Sequence, residues 1–227
     1  MINFKEHSEI MEGVNDPSIF KAVFLAGGPG SGKSFIVGKT SLSALGFKII
    51  NSDINYERAL TKAGLTMDPE DIMSAQGQAL RDKAKAITGK KLERALEGRL
   101  GVVIDGTGKD YGKIKKNVEK LRQLGYAVHM IFVNTDLETA LKRNDERPRS
   151  LPADDVERMW KSVQNNIGKF QGLFRNRLTV VDNSEGADIE RSSLEAYKDI
   201  KAWAARPPEN SIAQKWIKSQ IPGPKRK

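Results

Sequence analysis

The 227-residue chain contains no cysteine, which excludes disulfides and thiolate metal sites. No apolar run approaches the roughly 20 residues that a membrane-spanning helix needs. The opening stretch, MINFKEHSEI, is charged and lacks an apolar signal core. Together these absences lead to the expectation of a cytoplasmic protein with no membrane partner. Acidic residues are scarce in one region only: residues 201–227 hold seven Lys or Arg against Glu209 alone, which accounts for most of the net charge of +9. The remainder is close to balanced, so the charge is not by itself a nucleic-acid signature. The closing residues 221–227, ending PGPKRK, read as a disordered, solubilising basic tail, with a polyanion-binding arm as the alternative.

Internal repeats are also lacking. At 38% hydrophobic and 30% charged residues, the length suits one substantial core and not two comparable domains. Five apolar runs read as buried strands: AVFLA (22–26), FKIIN (47–51), GVVID (101–105), AVHMIFV (127–133) and LTVVD (178–182). They are continuous, not alternating, and helical segments separate them. That pattern predicts an α/β fold with a mostly parallel five-stranded sheet covered by helices on both faces. In VERMWKSVQNNIGKF, Val156, Met159, Trp160, Val163, Ile167 and Phe170 recur at three- and four-residue steps and read as one core-facing helical stripe. The expected organisation is a helical lead-in over 1–19, the main domain over 20–183, and a C-terminal helical appendage over 184–220 carrying Leu194, Tyr197, Ile200 and Trp203, then Ala213 and Trp216.

The richest segment is FLAGGPGSGKS, residues 24–34, where Gly27, four residues, Gly32, Lys33 and Ser34 complete GxxxxGK[ST]. Average usage would produce this pattern by chance in about one chain in a hundred of this length. Here it also follows a buried strand and opens a helix, the setting that a phosphate-binding loop requires. Gly28, Pro29, Gly30, Ser31 and Gly32 would wrap backbone amides around phosphate oxygens. Lys33 would reach the β- and γ-phosphates of ATP, and the Ser34 hydroxyl would ligate Mg²⁺.

Two acids are expected beyond the carboxyl ends of neighbouring strands, where open α/β sheets bind ligands. Asp53, in KIINSDINYER, is either a base that accepts a proton from an attacking hydroxyl or an N-cap for the helix that follows. Asp105, ending GVVID, either holds Mg²⁺ or its waters near Ser34 or only organises the GTG that follows. Downstream, Asp136 is placed to cap a helix running to about Glu146, and Pro148 opposes its continuation. Arg143 and Arg147 then share one face of its last turn, and an anion between them would turn their repulsion into binding. The alternative there is a solvated helix end. A basic segment over about 143–152 would serve as a lid over ATP.

GGPGSGKS, INSDINYER, VVIDGTG with LRQLGYAVHMIFV, and LKRNDERPRSLPADDVERMW resemble, in order and spacing, the zeta toxin and phage-type polynucleotide kinase group of P-loop kinases. The resemblance spans about residues 20–183. It implies a P-loop kinase fold, with Asp53 deprotonating an acceptor hydroxyl and Arg58 near the acceptor. It further implies that Arg143 and Arg147 contact ATP phosphates. The IDGTG stretch, with Asp105 and Thr107, is similar to the EGTG of zeta toxins, whose acid contacts substrate; here the acid is one methylene shorter. The resemblance implies an ATP- and Mg²⁺-dependent kinase acting on a sugar nucleotide or other small molecule, and an antitoxin-like protein partner. Alternatives are a nucleic-acid 5′-hydroxyl, tracked by Lys109, Lys113 and Lys116, and a nucleotide-binding regulatory module without transfer activity. A small-molecule acceptor would need a pocket walled by the helices of residues 55–100.

Overall fold

The five apolar runs form five strands in a computed structural model that describes residues 14–146 and 150–221. They are β1 (Lys21–Ala26), β2 (Lys48–Ile50), β3 (Val102–Asp105), β4 (Ala127–Asn134) and β5 (Leu178–Asp182). Every pairing is parallel, and the order across the sheet is β2-β3-β1-β4-β5. β1 therefore lies between β3 and β4, with Leu25 level with Asp105, so the loops leaving β1 and β3 emerge side by side. This is the switch-point crevice in which parallel sheets bind ligands.

Ten helices are described: α1 (Lys33–Lys39), α2 (Asp53–Lys62), α3 (Pro69–Met73), α4 (Ala75–Glu97), α5 (Tyr111–Gln123), α6 (Leu137–Asp145), α7 (Ala153–Gln164), α8 (Ile167–Phe174), α9 (Ile189–Ala204) and α10 (Ser211–Gln220). The continuous apolar strands bury both faces, as a covered parallel sheet demands. On one face Ala22, Phe24, Met130 and Phe132 meet Val118 and Leu121 of α5, Phe170 and Phe174 of α8, and Ala213 of α10. On the other, Val23, Leu25, Ile131 and Val133 meet Ile36 of α1 and Ala196, Ile200 and Trp203 of α9. The two helices expected as an appendage thus each cover a different side of the sheet. Tyr56 and Leu60 of α2, Ile72 of α3 and Ala84 of α4 form a small separate cluster beside β2.

The Val156–Phe170 stripe is two helices, not one. Asn165 and Asn166 interrupt it, and the Asn166 side-chain amide donates to the carbonyls of Gly108 and Lys109, both at 3.0 Å. That use of the side chain competes with helix continuation. Val163 and Phe170 still reach the same core, so the spacing survives the break. Met159 and Trp160 stand outside the core clusters and are only half-buried; Trp160 Nε1 donates to the carbonyl of Thr135 at 2.8 Å. In the expected lead-in, residues 14–19 run through turns, and residues 1–13 lie outside the described residues, as do 222–227 of the basic tail. No helix among the described residues is long and apolar enough to cross a membrane.

His129 of β4 is 3% exposed, 5.1 Å from the Trp203 ring, with Nε2 2.9 Å from Thr179 Oγ1. Burial, and then the nearby Arg177 charge, push its pKa down to about 4. The unfolded chain, with an ordinary value of about 6.5, binds the proton first as pH falls. Stability fully present above about pH 6.5 is therefore lost towards pH 4, by about 3 kcal/mol if this group acts alone. Urea denaturation between these pH values should show a steeper loss for the native sequence than for His129→Gln.

Candidate active site

The turn after β1 is built tightly against its neighbours. Gly30 and Gly32 have φ of 71° and 80°, in the left-handed region that favours glycine. A Cβ on Gly30 would lie 2.5 Å from the Ala140 carbonyl of α6, and one on Gly32 would lie 2.3 Å from Asn183 Nδ2. Gly27 to Ser31 are buried. The Gly27 amide donates to the Thr107 carbonyl at 3.1 Å, which joins the loop after β1 to the loop after β3. Among the described residues, the amides of Gly30, Gly32 and Ser34 donate to no backbone carbonyl. The Ser31 hydroxyl is buried without a partner. Lys33 Nζ curls back onto the carbonyls of Gly27 at 2.6 Å and Gly28 at 3.3 Å. The result is a concave turn with an ammonium at its mouth and donors available to an anion.

Asn51 links the two acids. Its Nδ2 donates to Asp105 Oδ2 at 2.6 Å, and its Oδ1 accepts from the Asp53 amide at 2.7 Å. Asn51 thus holds the first amide of α2, while the exposed Asp53 carboxylate makes no hydrogen bond among the described residues. Asp53 is the first residue of α2, one past the N-cap position, which Ser52 occupies. Asp105 is partly buried, and its Oδ1 is enclosed without a partner. Burial raises its pKa most; Lys33 pulls it down, Asp53 pushes it up, and the bond from Asn51 lowers it. Lys33, Asp53 and Asp105 therefore share one electrostatic neighbourhood at the carboxyl ends of β1, β2 and β3.

From the opposite side, Arg143 of α6 donates to the Asn183 carbonyl at 2.8 Å and reaches the Gly30 carbonyl at 3.5 Å. Asn183 Nδ2 in turn donates to the Ser31 carbonyl at 2.8 Å. Arg143 is thereby held against the glycine-rich turn. α6 has the expected bounds, with the Asp136 carboxylate accepting from the Thr139 amide at 2.7 Å. Arg147 lies outside the described residues, as do positions 148 and 149 of the expected lid. On either side of those positions, Asn144 exchanges two hydrogen bonds with the backbone of Leu151, at 2.8 and 3.0 Å. Arg58 lies on α2 with Asp53. It lines a cleft of about 830 Å³ between α2 and α4, with Ile54, Ala59, Lys62, Leu80 and Ile87 among the other lining residues.

Asn51, Asn183 and Trp160 carry no motif that marks them as site residues, yet the first two hold the site together. Their one available signal is position: each asparagine immediately follows an apolar strand, where the crevice opens.

A family model described as an AAA domain matches residues 23–166. The chain belongs to this family. Its matched segment contains the phosphate loop, both acids and Arg143, and the fold is that of a P-loop kinase. No curated protein matches the sequence. Among solved structures, AvrRxo1-ORF1:AvrRxo1-ORF2 with sulphate ions is similar at a TM-score of 0.55 and 16% identity, covering 92% of this chain and 73% of that one. The PezAT chromosomal toxin–antitoxin system of Streptococcus pneumoniae is similar at a TM-score of 0.52 and 15% identity, covering 82% and 88%. At such identities the likeness is one of fold.

The fit of a divalent ion can be judged from the donors. Among the described residues no group of three His, Cys, Asp or Glu side chains could hold a metal. Mg²⁺ requires no such cage, because it keeps several waters and takes phosphate oxygens alongside one or two protein ligands. A desolvated carboxylate with an unpartnered oxygen, as at Asp105, suits that arrangement. Asp105 would hold the ion or its waters, together with the exposed Ser34 hydroxyl.

Proposed function

We propose that the protein is an ATP-dependent kinase that transfers the γ-phosphoryl group to an alcohol of a small molecule, with a sugar nucleotide as the leading acceptor. The observation that carries this reading is the exposed Asp53 carboxylate, which makes no hydrogen bond among the described residues, on a residue whose amide Asn51 holds while its other end bonds Asp105, itself within the field of Lys33. The loop amides and Lys33 would bind the triphosphate. Asp53 would take the proton from the acceptor hydroxyl as its oxygen attacks the γ-phosphorus. Arg143 would stabilise charge on the transferring group, with Arg147 as its expected companion. Mg²⁺, when bound, would neutralise charge that develops on the phosphate oxygens.

The α2–α4 cleft, whose lining begins one residue after Asp53, supports the reading of a small acceptor held in a pocket. Arg58, Lys62 and Lys83 on its walls, against Glu57, suit an anionic substrate, and Ile54, Leu80 and Ile87 offer apolar contact. We assign acceptor binding to this cleft through Arg58, and add Asp105 at the end of β3 and Thr107 in the loop after it, neither of which lines the cleft, as further acceptor contacts. The PezAT relative is a toxin–antitoxin system, and we extend the reading to an antitoxin-like protein partner.

The test is radiolabelled ATP incubated with nucleotide sugars, nucleosides and 5′-hydroxyl oligonucleotides. The expected result is label on a sugar nucleotide, with a rate little affected by salt. Label on oligonucleotides, with binding that weakens steeply as salt rises, selects the polynucleotide alternative. ATP binding with no labelled product across the panel favours the regulatory module.

A further inference from the structure

A second concave site lies at the other end of the sheet. Lys21 opens β1 and Ala127 opens β4, so their amino ends stand about 20 Å from the phosphate loop, the length of a six-residue strand. There a cavity of about 330 Å³ is lined by Lys21, Arg177, Trp203, Arg206, Glu209 and Asn210, among others. Lys21 is 3% exposed, a rare degree of burial for a lysine that forms no salt bridge among the described residues. Its ammonium lies 5.2 Å from the centre of the Trp203 ring and makes no hydrogen bond among the described residues.

Three cations facing one carboxylate in a partly enclosed space repel one another unless an anion joins them. The Trp203 ring accounts for Lys21 alone and leaves Arg177 and Arg206 unexplained. Burial first, then Arg177, lower the Lys21 pKa; Glu209 opposes this and Arg206 adds to it, so all three neighbouring charges act on Lys21. Asn210, which caps the ten-residue α10 through the Ile212 amide, also lines the cavity.

We propose that this cavity binds a small phosphorylated molecule, with Lys21, Arg177 and Arg206 gripping the phosphate and Glu209 accepting a hydroxyl from the rest. Planar guanidinium groups match phosphate oxygens in pairs, and a buried lysine adds a fixed charge behind them. The volume is at the small end of ligand pockets and admits little more than a phosphate monoester. Occupation would tie the start of β1 to the junction of α9 and α10.

Equilibrium dialysis of labelled inorganic phosphate and of glycerol phosphate at constant ionic strength tests this, using the full chain with Lys33→Met to disable the phosphate loop. The expected result is about one equivalent bound, weakened about tenfold by Arg206→Gln and abolished by Lys21→Met. Tighter binding of the ester identifies a phosphorylated metabolite; equal binding identifies free phosphate. Arg206 is exposed, so its variant tests the site even if the buried lysine cannot be replaced without unfolding. Binding that disappears with Lys33→Met, or that is indifferent to Arg206→Gln, overturns the proposal.

Discussion

Asp53→Asn should leave ATP affinity intact and lower phosphoryl transfer by about 10²–10⁴-fold, the range that a positioned general base contributes. The substitution keeps the side chain's volume and removes its ability to take a proton. The local backbone should survive it, because the residue 53 amide is held by Asn51 Oδ1 and the Asp53 carboxylate caps nothing in the first turn of α2. The group lost makes no hydrogen bond among the described residues, so little folding energy leaves with it. A base that acts only during transfer should lower kcat and kcat/KM together. Titration with a non-hydrolysable ATP analogue, followed by single-turnover transfer to the acceptor identified by the panel, separates the two quantities. Transfer at the native rate would remove Asp53 from the mechanism.

The parts of this site that were legible in the sequence are those whose chemistry constrains residue type. A turn that passes beneath the Ala140 carbonyl at Gly30, and beside Asn183 at Gly32, requires glycine, and so Gly30, Gly32 and Lys33 announce themselves. Buried parallel strands need unbroken apolar runs, which made all five strands visible. An acid at the end of such a strand or just past it stands where the crevice opens, which is the signal at Asp105 and Asp53. Asn51 and Asn183 carry no comparable signal. An asparagine after a strand is also an ordinary turn residue, and nothing local shows that one bridges two acids and the other supports Arg143. The division between α7 and α8 was hidden because Val163 and Phe170 meet the same core from separate helices, preserving a periodicity that normally indicates one. Spacing puts Trp160 in the core, and the structure does not, because spacing reports a shared face and not the neighbour that face meets. Its backbone lies 3.8 Å from where a Cβ on Gly28 would sit, so its side of the helix covers the phosphate loop.

Asp105→Asn should separate stability from activity in opposite directions. The carboxylate is held in a partly buried position with one oxygen unpartnered, and burial is the largest influence raising its pKa. At neutral pH its charged form is therefore a cost to the empty fold, which Lys33 and Asn51 offset only in part. Asparagine removes that charge and its repulsion with Asp53, and its own oxygen can still accept from Asn51 Nδ2. The unliganded variant should melt at a higher temperature than the native protein. It should also lose about 10²-fold or more in transfer, because the charge that favours a bound cation beside the phosphates is gone. Adding Mg²⁺ and ATP should reverse the order of melting, since ligand binding stabilises the folded state in proportion to its affinity and the native site should bind the pair more tightly. Melting curves with and without Mg²⁺ and ATP make the comparison without any turnover. A variant that melts lower in both conditions would assign Asp105 to organising the GTG turn.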